Sequence, residues 1–485
     1  MNVLAIDQGT SATKALLVGP GAEVLGRGEV PVRTRSVGAD GVEADPEELF
    51  ESVAAAGRQA LAAAGGARAH AVALANQGET VLAWDRGTGR PLSPAIVWQD
   101  RRASGVCARL AGRSAELTAI TGLPLDPYFA APKMTWLREN LAQPISGAGT
   151  VTTTDTWLLA RLGTGYVTDA ATASRTLLLD LATADWSAEA CGVFGIDPAD
   201  LPEVRDCAGA VGETTAFGPP LPVAGLAVDQ QAALLAERCF AAGEAKCTYG
   251  TGAFLLATTG PEPVRSTAGL SASVAWRLDG AATYCLDGQV YTAGAAVRWL
   301  TDLGLVPGAE GLDAAGTSVP DSGGAVFVPA LAGLGAPHWR PDARGAFLGL
   351  GLGVTRAHLA RAVIEGIAAS VALLAASVTA DIGGPLGRLR ADGGLTRSRL
   401  LVQAQADLLQ APVDVSRSQD ATALGVAALA RLGAGERATL AEAVGQAEVE
   451  WVAEPAITAD QAAERLAAYN SAVQAVLAAR EAAPR

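Results

Sequence analysis

Two short apolar runs, Val3–Ile6 and Ala15–Val18, flank the polar stretch Asp7–Lys14 at the start of the chain. Apolar runs of this length bounded by turn residues predict buried strands, here an N-terminal β-hairpin. In the loop, Gly9 lets the backbone approach a ligand closely. The hydroxyls of Thr10, Ser11 and Thr13 and the ammonium of Lys14 add donors for anionic oxygens. Asp7, at the end of the first strand, is placed to hold a metal ion, Mg2+, through water. The pattern fits a phosphate-gripping hairpin, and it also fits an ordinary hairpin with a polar turn, since small polar turns are common.

About half the chain further on, Cys247–Ala257 has the same form, a Gly250-Thr251 turn followed by an apolar strand. Two half-length units, each opening on a Gly-Thr hairpin, predict two related domains with a ligand between them. Between the hairpins, Asp45-Pro46-Glu47 opens an alanine-rich helix over 45–64. Strands are expected at Ala71–Ala75, Val81–Trp84 and Ala95–Trp98. Residues 101–142 read as helical with a break at Thr121–Pro124, and Thr154–Leu162 and Ala188–Phe194 as short helices. A strand over Pro222–Val228 runs into a helix that begins at Asp229, where the helix dipole and the cap position both favour an acid. The second half gives strands at Ser271–Trp276, Ala282–Leu286 and Ala325–Val328, and a helix over Ala295–Leu303. A long helix opens at Thr355, with one apolar stripe from Leu359 to Val378. Arg388–Gly394 is a strand meeting a double-glycine turn before a helix over Arg397–Gln410. Thr458 and Gln461 form a capping box for the last helix. Alternating strands and helices make an α/β protein, with domains 1–240 and 241–485 joined near Ala242-Gly243.

Composition narrows the function. A net charge of −14 argues against nucleic acid, whose binding needs basic clusters. No uninterrupted apolar run reaches a membrane span, and no leader is expected ahead of the first strand, so a cytoplasmic protein is expected. The six cysteines show no metal-ligand spacing and read as small buried hydrophobes.

The ordered set of motifs resembles the FGGY family of carbohydrate kinases, and within it the glycerol kinase branch. Asp7-Gln8-Gly9-Thr10, Ile96–Gln99, Asp126–Phe129, Ala173–Thr176, Asp229–Leu234 and Thr248–Gly252 carry the likeness, with Gly345–Leu350 and Ala421–Gly425. The resemblance implies two actin-like (ribonuclease H-like) domains with ATP and Mg2+ in the cleft between them and a small polyol or sugar deeper in the first domain. It implies Asp229 as catalytic base, with Glu79, Trp98, Tyr128 and Gln230 joining it on the substrate. Thr10, Ser11, Lys14, Gly250 and Thr251 would face the phosphates, and Gly294 and Gly394 would line the nucleotide. Homo-oligomers are compatible with all of this. The chain departs from the pattern at Gly78, where the family's glycerol-binding members carry arginine, and at Ala130, Arg298 and Ser398. Gly78 removes a cation and leaves space beside Glu79, so weaker use of glycerol and some activity on a four- or five-carbon acceptor are expected. Arg101 or Arg102 would be the substitute charge if glycerol is preferred. The leading expectation from the resemblance is ATP-dependent phosphorylation of a terminal hydroxyl of glycerol or a related short polyol or sugar; a kinase for such longer acceptors, and a non-catalytic actin-like ATP-binding protein, stay open beside it.

Overall fold

The computed structural model describes residues 1–141, 147–307, 309–446 and 448–481. Residue 142, at the end of the predicted helical stretch, and the last four residues of the second predicted domain lie outside these. Two mixed sheets organise the chain. The first has six strands in the order Ala208–Thr214, Leu221–Val228, Ala71–Asn76, Val3–Gln8, Ala12–Val18 and Val24–Pro31. The second has seven, Ser271–Leu278, Ala281–Val290, Ala253–Gly260, Ala245–Tyr249, Leu389–Asp392, Val413–Ser416 and Val449–Ala453. In each, an antiparallel meander leads through a Gly-Thr hairpin to a strand that pairs in parallel with the hairpin's first strand. The expected duplication is therefore a duplication of topology, and it places both Gly-Thr turns at equivalent sheet ends.

The hairpin forms as its apolar pattern requires. Val3 to Ile6 and Ala15 to Val18 are fully buried, and Asp7 sits opposite Lys14 in register. Gly9 N–H closes the first turn on Ala12 O at 3.1 Å, and Gly250 N–H closes the second on Gly252 O at 2.9 Å. The helix Pro46–Ala63 starts where Asp45 accepts from Glu47 N–H at 2.9 Å. Thr154–Leu162 forms as expected, and Asp229–Ala236 starts at the expected residue. The strand expected over Ala95–Trp98 stops at Ile96. Trp98 is drawn out of it, since its backbone N–H donates to Thr80 Oγ1 at 3.2 Å and its indole N–H to Thr10 Oγ1 at 2.9 Å.

The helix Arg356–Ile382 is long and apolar enough to cross a membrane by length and composition. Here it is a core element. Val363, Ile367, Val371, Leu374 and Val378, the predicted stripe, are buried against the second sheet, and Leu359 at its start is half-buried. Five of the six cysteines are buried, Cys107 is partly so, and all are free thiols. One helix departs from the halves of the sequence. Ala421–Gly433 lies late in the chain yet packs on the first sheet and on Asp229–Ala236. The contact is so close that a Cβ at Gly425 would lie 1.9 Å from Ala232 O, which only glycine permits.

Candidate active site

A cleft of ≈370 Å³ opens between the two sheets, at the ends that carry the Gly-Thr turns. Nine predicted site residues line it: Thr10, Ser11, Glu79, Trp98, Tyr128, Asp229, Gln230, Gly250 and Thr251. Asp7, Lys14, Gly294 and Gly394 do not. Gly294 supports the second turn from behind, its N–H donating to Gly250 O at 3.0 Å, and a Cβ there would stand 2.6 Å from that oxygen. Gly394 follows Gly393, whose φ of 95° and close approach to Tyr249 O demand glycine.

Asp229 opens its helix without capping it: its carboxylate accepts only from the adjacent Gln230 N–H, at 2.7 Å. The capping role that its position offered is therefore not taken. Burial, with the neighbouring Asp7 charge, pushes its carboxyl up to about 7 against the pull of Gln230 N–H, Lys246 and Arg175. Burial pushes Asp7 up to about 6, with Lys14 pulling the other way. A carboxyl poised near neutrality and turned into a cleft can accept a hydroxyl proton. Among the described residues, no three His, Cys, Asp or Glu side chains group as a ready metal cage. Asp7 and Asp229 nonetheless offer hard oxygens whose mutual repulsion a divalent cation would relieve, which suits Mg2+ held by one or two carboxylates, water and phosphate.

Glu79 occupies a strained turn. Its φ is 59°, and Thr80 N–H bonds back to Gly78 O at 2.8 Å, a three-residue turn that L-residues rarely adopt. The strain turns its carboxylate into the cleft, where Arg175 holds it. Arg175 Nε donates to Glu79 Oε1 at 2.7 Å, and its two terminal nitrogens reach Asp287 at 2.5 and 3.2 Å. Burial outweighs this partner, and Glu79 is pushed up to about 7. Arg175 belongs to the first half and Asp287 to a strand of the second, so this buried triad spans both. Trp98 and Tyr128 meet edge to face at 5.7 Å, and Phe254 of the second sheet closes on Trp98 at 6.1 Å.

Arg175, Asp287, Lys246 and Lys133 were not singled out from the sequence. Lys133 is fully buried and caps three carbonyls, Pro127, Tyr128 and Phe129, at 2.5–2.8 Å, which fixes the turn bearing Tyr128. Lys246 donates to Gln230 Oε1 at 2.6 Å and Thr248 Oγ1 at 2.7 Å. Its charge acts on four buried carboxylates, Asp229, Glu237, Asp287 and Asp392. Thr10 is more committed than its expected phosphate role required, since it donates to Gln77 Oε1 at 3.1 Å while accepting from Trp98.

The departures resolve individually. The space expected beside Gly78 is narrowed on one side: a Cβ on Gly78 would lie 2.9 Å from Val228 Cγ2, and Val228 lines the cleft. Arg101 and Arg102 do not supply the missing charge. Arg101 pairs with Asp126, and Arg102 with Asp100 and Glu43. Ala130 opens the helix Ala130–Asn140 as a buried residue. Ser398 caps the helix Arg399–Leu409 and donates to Asp313, whereas Arg298 is exposed on the cleft wall.

Comparison with known proteins agrees with this architecture. Residues 2–236 match the FGGY family of carbohydrate kinases, N-terminal domain, and residues 245–434 match its C-terminal domain. A glycerol kinase of Myxococcus xanthus is 46% identical over 89% of this chain and 90% of its own length. A glycerol kinase of Thermus brockianus is 47% identical over the same shares. The crystal structure of Plasmodium falciparum glycerol kinase with ADP superposes with a TM-score of 0.89 at 31% identity, covering 98% of both chains. With a duplicated sheet, a cleft between the halves and both domain signatures in order, the chain belongs to the FGGY family of carbohydrate kinases.

Proposed function

We propose that this kinase transfers the γ-phosphoryl group of ATP to a terminal hydroxyl of glycerol. The observation that carries the reading is the meeting, in one cleft, of two poised carboxylates, Asp229 and Glu79, with the Gly-Thr turns of both sheets. Relatives named glycerol kinase at 46–47% identity support glycerol as the acceptor. Glu79, held by Arg175, and Gln230, held by Lys246, bind acceptor hydroxyls. Trp98 and Tyr128 pack on its C–H face. Asp229 accepts the proton of the attacking hydroxyl as its oxygen bonds to phosphorus and the bond to ADP breaks. Thr10, Ser11, Gly250 and Thr251 face the phosphates, with Lys14 behind them, and Gly294 and Gly394 shape the nucleotide side. Asp7, with Asp229, would hold Mg2+, which supplies charge neutralisation to the phosphates. The same reading puts the enzyme in the cytoplasm, beside its nucleotide.

The longer-acceptor reading is less supported, because the Val228 methyl narrows the space beside Gly78 and the relatives at 46–47% identity are named glycerol kinase. ADP release with glycerol, erythritol, ribitol, xylulose and ribulose tests the assignment. Glycerol is expected to give the highest kcat/KM. A tenfold preference for a ketopentose, or no turnover on any of the five, would overturn it.

A further inference from the structure

Gly78 and Val228 precede the two cleft carboxylates, Glu79 and Asp229, by one residue each. They meet because their strands are neighbours: Ala71–Asn76 and Leu221–Val228 run parallel, with Val228 in register with Asn76. A methyl of Val228 lies 2.9 Å from where the first side-chain carbon of any residue at 78 would stand. Non-bonded contacts that short are essentially never seen at a real Cβ, so one of the two side chains would have to shift. Val228 is β-branched, 2% exposed and held at the end of a strand, so it has little rotamer freedom with which to withdraw. Both residues line the cleft beside Glu79, Arg175 and Asp229.

On the reading that this cleft takes glycerol, we propose that Gly78 and Val228 act as one coupled specificity unit that gives the acceptor site an aliphatic wall. A larger residue at 78 would have to displace the valine opposite it, and together glycine and valine put a methyl group where a donor at position 78 would otherwise sit. Hydroxyl recognition at this end then falls to Glu79, oriented by Arg175. An aliphatic wall discriminates weakly against an acceptor that lacks a hydroxyl there, by about 10²-fold or less, whereas a dedicated donor discriminates far more strongly. The preference for glycerol over propane-1,2-diol, which carries a methyl group in place of one terminal hydroxymethyl, reports which wall is present.

The test is kcat/KM for both acceptors in the wild type, Gly78→Arg, Val228→Gly, Val228→Ala and the two double variants with Gly78→Arg. Gly78→Arg alone is expected to lower activity on both acceptors alike, because its side chain is blocked at the first carbon. Gly78→Arg with Val228→Gly is expected to raise the glycerol-to-propanediol ratio at least ~10-fold over wild type, a strongly non-additive result. The Val228→Ala pair gives the same readout with less backbone freedom should the double glycine-arginine variant fold poorly, and thermal melts of each variant identify that case. If Gly78→Arg alone raises the ratio as much as the double variants, the positions are not coupled. An unchanged ratio in both folded double variants means that the acceptor does not touch this wall. Either result overturns the proposal. Absence of wild-type turnover on glycerol would instead count against the acceptor assignment itself.

Discussion

Replacing Asp229 with asparagine should cost activity and add stability, the latter only above a defined pH. Its carboxyl is held at about 7 against an ordinary 3.8, by burial first and the Asp7 charge second. In the folded chain it therefore keeps its proton over a range in which the unfolded chain has lost it. The stabilisation that this proton provides is complete below pH 4, falls as the pH rises from 4 to 7, and is gone above 7. At 1.36 kcal/mol per decade the full cost is roughly 4 kcal/mol above pH 7. Asp229 keeps a face toward the cleft, so water screens much of this, leaving about 1–2 kcal/mol. An uncharged amide of the same shape removes that cost. Nucleotide-free Asp229→Asn protein in EDTA should thus melt about 1–4 °C above wild type at pH 8 and level with it at pH 4.5. Loss of the base should lower kcat by at least ~10²-fold. The pairing of the two effects is the signature. A variant that is no more stable at pH 8, or stabilised equally at every pH, would refute the electrostatic argument, and near-normal turnover would remove Asp229 from the chemistry.

Thr10→Val breaks the bond to Trp98 as well as the phosphate-facing hydroxyl, so KM should rise several-fold for both ATP and glycerol; a change confined to ATP would show that the Trp98 contact is idle. Gly393→Ala places a Cβ 2.5 Å from Tyr249 O at a φ of 95°; it should cost ~1–3 kcal/mol in chemical denaturation and weaken ATP, and a wild-type denaturation midpoint would contradict the packing. Arg175→Met leaves Glu79 and Asp287 buried without their shared cation; a loss of about 3–5 kcal/mol in denaturation is expected, smaller at pH 5 than at pH 8 because protonation relieves both acids, and a pH-independent loss would show that packing rather than charge is at stake.

The parts of the site that lie on one strand or turn were readable before any fold was known. Apolar runs flanking a Gly-Thr turn located both hairpins, and the strand-to-helix change at Val228–Asp229 located an acid to which the family resemblance adds the role of base. What could not be read is what the second half brings to the first. Arg175 and Asp287 are 112 residues apart, and nothing in the pattern around either predicts a partner. Lys133 looks like a surface residue of the helix Ala130–Asn140, and only the turn back over Pro127–Phe129 buries it. Gly78 was legible as a missing arginine, but not the methyl that narrows the space beside it, because Val228 arrives from a neighbouring strand over a hundred positions away. Local propensity reports the backbone of a site, whereas its charge balance is settled by tertiary assembly.

The helix Ala421–Gly433 has a mechanical consequence. Because it returns to the first sheet before Val449–Ala453 rejoins the second, the chain crosses between the halves three times rather than once. The three passes lie side by side: Arg417 N–H donates to Glu448 O at 2.9 Å, and Arg238 reaches Ala441 O at 3.2 Å and also Gly445 O. Two bodies tied by one strand can twist and slide as well as swing. Tied by three adjacent strands, they keep chiefly the swing, like a door on several pins in one line. Any opening of the cleft should then follow a single angular path that separates Arg175 from Asp287 while the seam at Arg238 stays shut. A protease cut in any one crossing should leave the two halves associated.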